Sequence, residues 1–324
     1  MRQIDQQVAV LESLDVEQTR QPDFDAFWAE TRERCAAVPL NVQGGTVDYP
    51  VAGMEVRDLT YDGLDGTPIH TWLALPSAAA QKCKIPVILH YHGAGGSRGE
   101  AFEFAHWILA GCAVVSIDFR MQRGDTGSRT GFSGNIQNGW WTLGIRDLST
   151  SYVYMTWTDC LRAIRLARET HGIDPLRIAV EGGSQGGGMA LGMAALDRTV
   201  ALCMADVPSN CNMDERIFQR AGGGSGIADY LNAHPDQIDE VSRHLSYFDN
   251  INHAPDVTCP VLVSCGLKDP VCPPACVYTV YNKITAPKEM VHYPFAGHEG
   301  GRSVHELRKL AFVRERFFGG ETAL

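Results

Sequence analysis

Short apolar runs alternate with helix-like stretches along most of the chain after residue 84. Strands that are buried on both faces read as short apolar runs, because helices cover both faces of a parallel sheet. The alternation therefore predicts an α/β fold with a mostly parallel central sheet and helices on both faces. The runs cover residues 85–92, 112–118, 177–181, 200–206, 260–265 and 289–295.

Two segments fall outside this alternation. Residues 1–60 are predicted to form an N-terminal extension that begins with amphipathic helices, one of them capped by Asp23. The connection over residues 207–257 is longer than one crossover helix needs. Because ligands bind at the carboxyl edge of open α/β sheets, we predict that this connection is an insertion over that edge. We expect residues 1–324 to form one α/β domain.

The charge of the chain disfavours two classes of partner. The sequence has 28 lysines and arginines against 38 aspartates and glutamates, which gives a net charge of −10. A nucleic-acid-binding protein needs a positive surface to displace counterions from phosphates, so we expect no nucleic-acid partner. An anionic membrane would also repel this chain.

No apolar run is long enough to cross a membrane and no signal-peptide core precedes the first helix, so we predict a cytoplasmic protein.

The ten cysteines are interpreted as buried packing residues. None of them forms a Cys-x-x-Cys pair, and several lie inside apolar runs. A structural zinc site at Cys272 and Cys276 is the alternative, but no histidine lies nearby at zinc-finger spacing. Trp140, Trp141 and Trp157 are likewise interpreted as packing residues rather than as a sugar-binding platform.

The strongest chemical signal is the pattern Gly182-x-Ser184-x-Gly186, which lies between a predicted strand and a predicted helix. A serine in that context forms a nucleophile elbow, although a serine that merely caps the helix is the alternative. Asp269 follows the fifth apolar run and His298 follows the sixth, so the chain order is Ser, Asp, His. We predict that Asp269 orients His298 and that His298 takes the proton from Ser184.

The predicted chemistry also needs two hydrogen-bond donors for an oxyanion. The first is the backbone N–H of Gln185, directly after the nucleophile, and the second is expected from the glycine-rich loop over residues 91–96. His90, His92 and His292 are rival bases, but they lie in or beside predicted strands rather than after the last one.

Taken together, these residues resemble carbohydrate esterase family seven, the acetyl xylan esterase and cephalosporin-C deacetylase family of α/β-hydrolases. The resemblance spans nearly the whole chain. The family's Arg-Gly-Gln, Gly-x-Ser-Gln-Gly and His-Glu segments read here as Arg123-Gly124-Asp125, residues 182–186 and His298-Glu299.

This resemblance implies a serine esterase that removes acetyl groups from sugars such as xylo-oligosaccharides and from cephalosporin C. It implies no cofactor and no metal, and it implies a homohexamer. It assigns the oxyanion hole to the backbones of Tyr91 and Gln185, and substrate binding to Tyr91 and the apolar Val271. The alternatives are a peptidase or a general carboxylesterase, and a non-catalytic relative.

Two departures from the family pattern affect the expected site. Asp125 stands where the family has glutamine, and we expect its carboxylate to pair with Arg123 or another cation. The glycine-rich run over residues 221–226 is expected to be flexible and to alter the rim of the pocket.

Overall fold

The computed structural model describes residues 2–77 and 84–319, with a central sheet of nine strands among them. The strands are β1 (Gln43–Val47), β2 (Met54–Asp62), β3 (Pro68–Pro76), β4 (Ile85–Tyr91), β5 (Ala113–Ile117), β6 (Ile173–Gly183), β7 (Val200–Asp206), β8 (Val261–Gly266) and β9 (Lys288–Tyr293). Their order across the sheet is β1-β2-β3-β5-β4-β6-β7-β8-β9. The first three strands and β5 pair antiparallel, and every pair from β5 to β9 is parallel.

Helices connect the parallel strands and pack on both faces of the sheet. They are α1 (Arg2–Glu12), α2 (Phe24–Ala37), α3 (Ala105–Leu109), α4 (Tyr152–Glu169), α5 (Gln185–Leu196), α6 (Met213–Phe218), α7 (Gly224–Ala233), α8 (Ile238–Ser246), α9 (Asn250–His253), α10 (Pro274–Lys283) and α11 (Arg302–Phe318). None of the described helices is long and apolar enough to cross a membrane.

The central strand β4 shows why the apolar runs of this sequence form buried strands. Val87 and Leu89 face one core cluster, which includes residues of α4 and α5, whereas Ile88 faces a second cluster with residues of α3 and α11. Because successive side chains of a strand point to opposite faces, a strand covered on both faces must be apolar throughout. The predicted α/β-hydrolase fold with a mostly parallel sheet is confirmed.

The cap predicted at Asp23 is wrong. Asp23 occupies the position before α2, but its side chain makes no hydrogen bond to the helix amides. Its carboxylate instead accepts a hydrogen bond from the hydroxyl of Tyr247. The residue therefore ties the N-terminal helices to the connection between β7 and β8.

That connection contains four helices, α6 to α9, and several glycines of its run over residues 221–226 pack closely against neighbouring backbone. Gly222 has φ 52° and lies against Val271, where an added Cβ would come within 2.8 Å of the Val271 carbonyl oxygen. A Cβ on Gly226 would lie 2.0 Å from the carbonyl oxygen of Asn138. Glycine can provide flexibility or allow close approach of two backbone segments, and these glycines allow close approach.

The packing interpretation of the cysteines and of Trp157 is confirmed. All nine cysteines in the described residues are free and buried, and Cys83 lies outside those residues. Trp157 is fully buried in the larger core cluster, and Trp141 packs against that cluster. Trp140 packs against the same cluster, and its indole N–H also donates to the Met121 carbonyl.

Candidate active site

Ser184 lies at the sharp turn between β6 and α5, with φ 56° and ψ −117°. A residue other than glycine is strained in this region, and such strain is typical of functional turns. The flanking glycines allow the turn to approach β4, since a Cβ on Gly182 or Gly186 would lie 2.3 or 1.8 Å from the Tyr91 carbonyl oxygen. The Ser184 amide also donates to the carbonyl of Asp206 at 2.9 Å, which fixes the turn to β7.

The three residues predicted from chain order meet at one point. His298 Nε2 lies 2.9 Å from Ser184 Oγ, and His298 Nδ1 lies 2.8 Å from Asp269 Oδ2. The other carboxylate oxygen of Asp269 accepts the amides of Val271 at 2.7 Å and Cys272 at 2.9 Å. The hydrogen bond that His298 donates to Asp269, followed by its hydrogen bond with Cys272, raises the pKa of His298. The arrangement can orient the imidazole and stabilise its protonated form.

The rival histidines have other partners. His90 bonds to Glu181 at 2.7 Å, and His292 lies in β9. His92 uses both ring nitrogens on backbone groups, and burial lowers its pKa to about 4. Among the described histidines, His298 is the one that hydrogen-bonds Ser184.

The side chain of Tyr91 is not exposed to a substrate, although the family resemblance assigns substrate binding to this residue. It is fully buried, and its hydroxyl donates to the carbonyl of Cys160 beneath the sheet at 3.2 Å. Tyr91 is the last residue of β4 and pairs with Ile117 and Gly182 on the two neighbouring strands. Its backbone therefore belongs to the sheet rather than to the loop above Ser184.

The loop that follows β4 offers a better second donor. Residues 93–96 form a turn in which the Gly96 amide donates to the Gly93 carbonyl at 3.0 Å, and Gly95 has φ 74° as in a type II turn. The amide of the second turn residue, Ala94, has no hydrogen-bond partner within the described part of the chain. Because Gly93 lies against Ser184, the geometry favours Ala94 over Tyr91 as the partner of the Gln185 amide.

A cavity of about 300 Å³ opens beside the nucleophile. Its lining includes Ser184, His298, Asp206 and His305. Val271 is not part of this lining, because its amide holds Asp269 and its side chain lies beside the glycine run of the insertion. The volume is at the small end of the range for ligand pockets, which suits a small ester.

A buried ion network supports the nucleophile from below. Lys309 Nζ, on α11, lies 2.8 Å from Glu181 Oε2, 2.9 Å from Asp206 Oδ2 and 2.8 Å from Glu306 Oε1. Burial opposes the ionisation of Glu181, but Lys309 and His90 hold its pKa below the usual value. Glu181 lies near the end of β6, which leads into the Ser184 turn, and Asp206 ends the neighbouring strand β7. This lysine therefore ties the turn to the last helix.

The substitution Lys309→Met is expected to destabilise the protein by about 3–5 kcal/mol, because it removes the buried lysine cation that Glu181 and Asp206 share. The measurement is the urea unfolding midpoint. The control is Arg308→Met on the same helix, where the side chain is 55% exposed and its ion pair with Glu289 contributes about 0–1 kcal/mol. Equal losses of stability in the two variants would show that the buried network contributes no more than an exposed ion pair does.

Comparison with known proteins places this chain in a family. The family model described as acetyl xylan esterase matches residues 1–316. The chain belongs to the acetyl xylan esterase family. It is 30% identical over 290 residues to acetyl esterase Axe7A of Xylanibacter ruminicola, an alignment that covers 86% of this chain. The chain spans 64% of the length of that curated relative.

Solved structures of this family are similar over almost the whole chain. The acetyl xylan esterase from Paenibacillus sp. R4 is 35% identical, with a TM-score of 0.92 over 95% of this chain and 99% of that one. Acetyl xylan esterase 1 from Thermoanaerobacterium sp. JW/SL YS485 is 26% identical, with a TM-score of 0.88 over 94% and 98%. A puromycin-hydrolysing peptidase of Mycobacterium tuberculosis, at 20% identity and a TM-score of 0.61, shares the fold alone.

The Arg-Gly-Gln pattern of the acetyl xylan esterase family fits residues 120–122 better than residues 123–125. Arg120 is fully buried and binds Asp159 through two nitrogens at 2.7 and 2.8 Å. Met121 has φ 57°, the left-handed conformation that favours the glycine of the pattern. Asp125 pairs with Arg98 at 3.5 Å rather than with Arg123.

Gln122 is the site residue that the sequence reading missed. Its Oε1 accepts the Gly95 amide at 2.7 Å, and its Nε2 donates to Tyr152 at 2.8 Å and to the side chain of Gln185 at 3.3 Å. The Gln122 side chain therefore holds the turn over residues 93–96, which carries the Ala94 amide, against Gln185. The Arg-x-Gln spacing at residues 120–122, rather than the segment 123–125, is the sequence signal that indicates Gln122.

The substitution Gln122→Ala is expected to lower kcat for p-nitrophenyl acetate by about 10- to 100-fold with little change in KM. The reason is that the turn loses the bond that holds its donor in place, while the nucleophile and base remain. Steady-state kinetics of the variant test this, with Gln43→Ala on the exposed edge strand as control. A rise in KM alone would show that Gln122 binds substrate instead.

Proposed function

We propose that this chain is a serine esterase that removes acetyl groups from acetylated sugars such as xylo-oligosaccharides, and from cephalosporin C, through an acyl-enzyme. The observation that carries the proposal is the hydrogen-bonded series Ser184, His298 and Asp269 beside a cavity of about 300 Å³. Membership of the acetyl xylan esterase family supports the acetyl group as the acyl part.

In the first step, Ser184 Oγ attacks the ester carbonyl while His298 Nε2 takes its proton. The carbonyl oxygen becomes an oxyanion, which the amides of Gln185 and Ala94 stabilise. When the tetrahedral intermediate collapses, His298 returns the proton to the leaving alcohol, and the acetyl group stays on Ser184. Water then attacks the acetyl-serine with His298 again as base, which releases acetate and restores the hydroxyl.

The experiment that tests the proposal is a substrate panel with matched leaving groups. We expect kcat/KM to be highest for p-nitrophenyl acetate and to fall with each added methylene, because a cavity of this size leaves little room for a long acyl chain. Acetate release from acetylated xylo-oligosaccharides and from cephalosporin C tests the alcohol part. Preference for long acyl chains would favour a general carboxylesterase, and cleavage of peptide amides would favour a peptidase.

We further propose a cytoplasmic homohexamer whose substrates are small acetylated molecules, with no nucleic-acid or membrane partner. The family resemblance supports the hexamer, and the free buried thiols suit a reducing compartment. The net charge of −10 supports the exclusion of nucleic acid. Size-exclusion chromatography with light scattering tests the assembly, and a monomeric mass would contradict it.

A further inference from the structure

We propose that Asp269, Cys272 and His298 form a site for a soft divalent cation, represented by Zn²⁺, whose occupation stops the esterase reaction. One carboxylate oxygen, one sulfur and one ring nitrogen of these residues lie within 4.8 Å of one another. Carboxylate, thiolate and imidazole are the three ligand types that zinc sites use. The inhibitory part of the inference rests on the proposed function, whereas cation binding does not.

The nitrogen and the oxygen of this group are close to the separation that a tetrahedral ion needs. Zinc bonds of 2.0–2.3 Å place ligand atoms about 3.3–3.6 Å apart. His298 Nδ1 and Asp269 Oδ2 are 2.8 Å apart, so they need to separate by only about 0.5 Å. The Cys272 amide on the second oxygen of Asp269 keeps the sulfur beside the carboxylate. Three protein ligands leave the fourth position to water, as in open zinc sites.

The charges and protons of the site balance for a divalent ion. Binding releases the Sγ proton of Cys272 to solvent, while the neutral imidazole of His298 changes tautomer, so that it loses its proton at Nδ1 and carries one on Nε2. The carboxylate of Asp269 and the new thiolate then neutralise the two positive charges. Asp269 and Cys272 are buried, so a neutral site avoids an uncompensated buried charge. The imidazole, 31% exposed beside the cavity, offers a route for the ion.

Occupation of this site blocks the base without touching the nucleophile. A neutral imidazole that binds metal through Nδ1 must carry its proton on Nε2. The Nε2 atom 2.9 Å from Ser184 Oγ then has no lone pair to accept the serine proton. Cys272 makes the site selective, because Mg²⁺ and Ca²⁺ prefer oxygen ligands.

The test is a Zn²⁺ titration of p-nitrophenyl acetate hydrolysis, with each variant normalised to its own rate without metal. We expect wild type to be inhibited, a chelator to restore its rate, and Mg²⁺ to have no effect. Cys272→Ala and the closer isostere Cys272→Ser are expected to raise the inhibition constant by about 100-fold or more. The control is Cys276→Ala, a buried cysteine outside the three-atom group, which is expected to keep the wild-type constant.

A second readout does not depend on esterase activity. Co²⁺ bound to a thiolate gives a sulfur-to-metal charge-transfer band in the near ultraviolet. We expect this band in wild type, in Cys276→Ala and in the esterase-inactive Ser184→Ala, and not in Cys272→Ala. A missing band in Ser184→Ala and wild type, or equal Zn²⁺ inhibition of wild type and Cys272→Ala, would overturn the proposed site. A band with no inhibition would overturn its inhibitory role.

Discussion

The substitution Ser184→Ala is expected to lower kcat for p-nitrophenyl acetate by on the order of 10⁴- to 10⁶-fold. The hydroxyl is the atom that forms the acyl-enzyme, and no other described hydroxyl hydrogen-bonds His298 Nε2. The loss of one oxygen at the turn leaves the strained backbone and its glycines unchanged, so the fold should persist. Steady-state kinetics together with the thermal unfolding midpoint separate loss of chemistry from loss of structure.

A second serine of the same cavity provides the control for this prediction. Ser264 lies in β8, and its hydroxyl donates to Asp206 at 3.4 Å rather than to His298. Loss of one such hydrogen bond corresponds to about 1 kcal/mol, so Ser264→Ala should change kcat by less than about tenfold. Comparable losses in the two variants would mean that Ser184 is not the nucleophile.

The substitution Asp269→Asn is expected to lower kcat by about 10⁴-fold and to change the pH profile. Asparagine keeps the shape of the side chain but can donate its amide protons to His298 Nδ1, which favours the tautomer with a proton on Nε2. That tautomer cannot accept the proton of Ser184. The hydrogen bonds from the Val271 and Cys272 amides should keep the asparagine in place, so the loss arises from the imidazole rather than from a moved loop.

The sign of the pH effect follows from the same contact. In wild type, the hydrogen bond that His298 donates to Asp269 raises the pKa of His298 above 6.5. The ratio kcat/KM therefore rises with pH as the imidazole loses its proton around this raised pKa. Without the carboxylate, the rising limb should move to lower pH. The measurement is kcat/KM against pH for both proteins at constant ionic strength. A variant whose rising limb stays at the wild-type pH would show that Asp269 does not set the pKa of the base.

The parts of the site that sequence order determines were predictable. Each parallel strand delivers its following residue to the same edge of the sheet, so Ser184, Asp269 and His298 had to lie near one another once the strands were recognised. The glycines on either side of Ser184 marked the turn because only they permit the approach of the Tyr91 carbonyl. Local sequence therefore contained most of the information about the nucleophile, acid and base.

The parts that depend on contacts between distant loops were not predictable. Gln122 joins Gly95 to Gln185 across three segments, and although the Arg-x-Gln spacing marks Gln122 itself, no local sequence reveals which loops it contacts. The identity of the second oxyanion donor depends on where β4 ends and its turn begins. Tyr91 and Ala94 differ by three residues, and the glycine-rich sequence does not decide between them. The close packing of the run over residues 221–226 was not predictable, because glycine permits both flexibility and close packing and only the neighbouring backbone decides between them.

The acyl-enzyme is the intermediate on which the whole mechanism depends. Rapid acid quench of wild type during turnover of p-nitrophenyl acetate, followed by peptide mass mapping, detects it directly. We predict the mass of one added acetyl group on the peptide that contains Ser184, and no such addition in Ser184→Ala. An acetyl group on another residue would contradict the account. So would full turnover of the substrate if Ser184 is unmodified in every quenched sample.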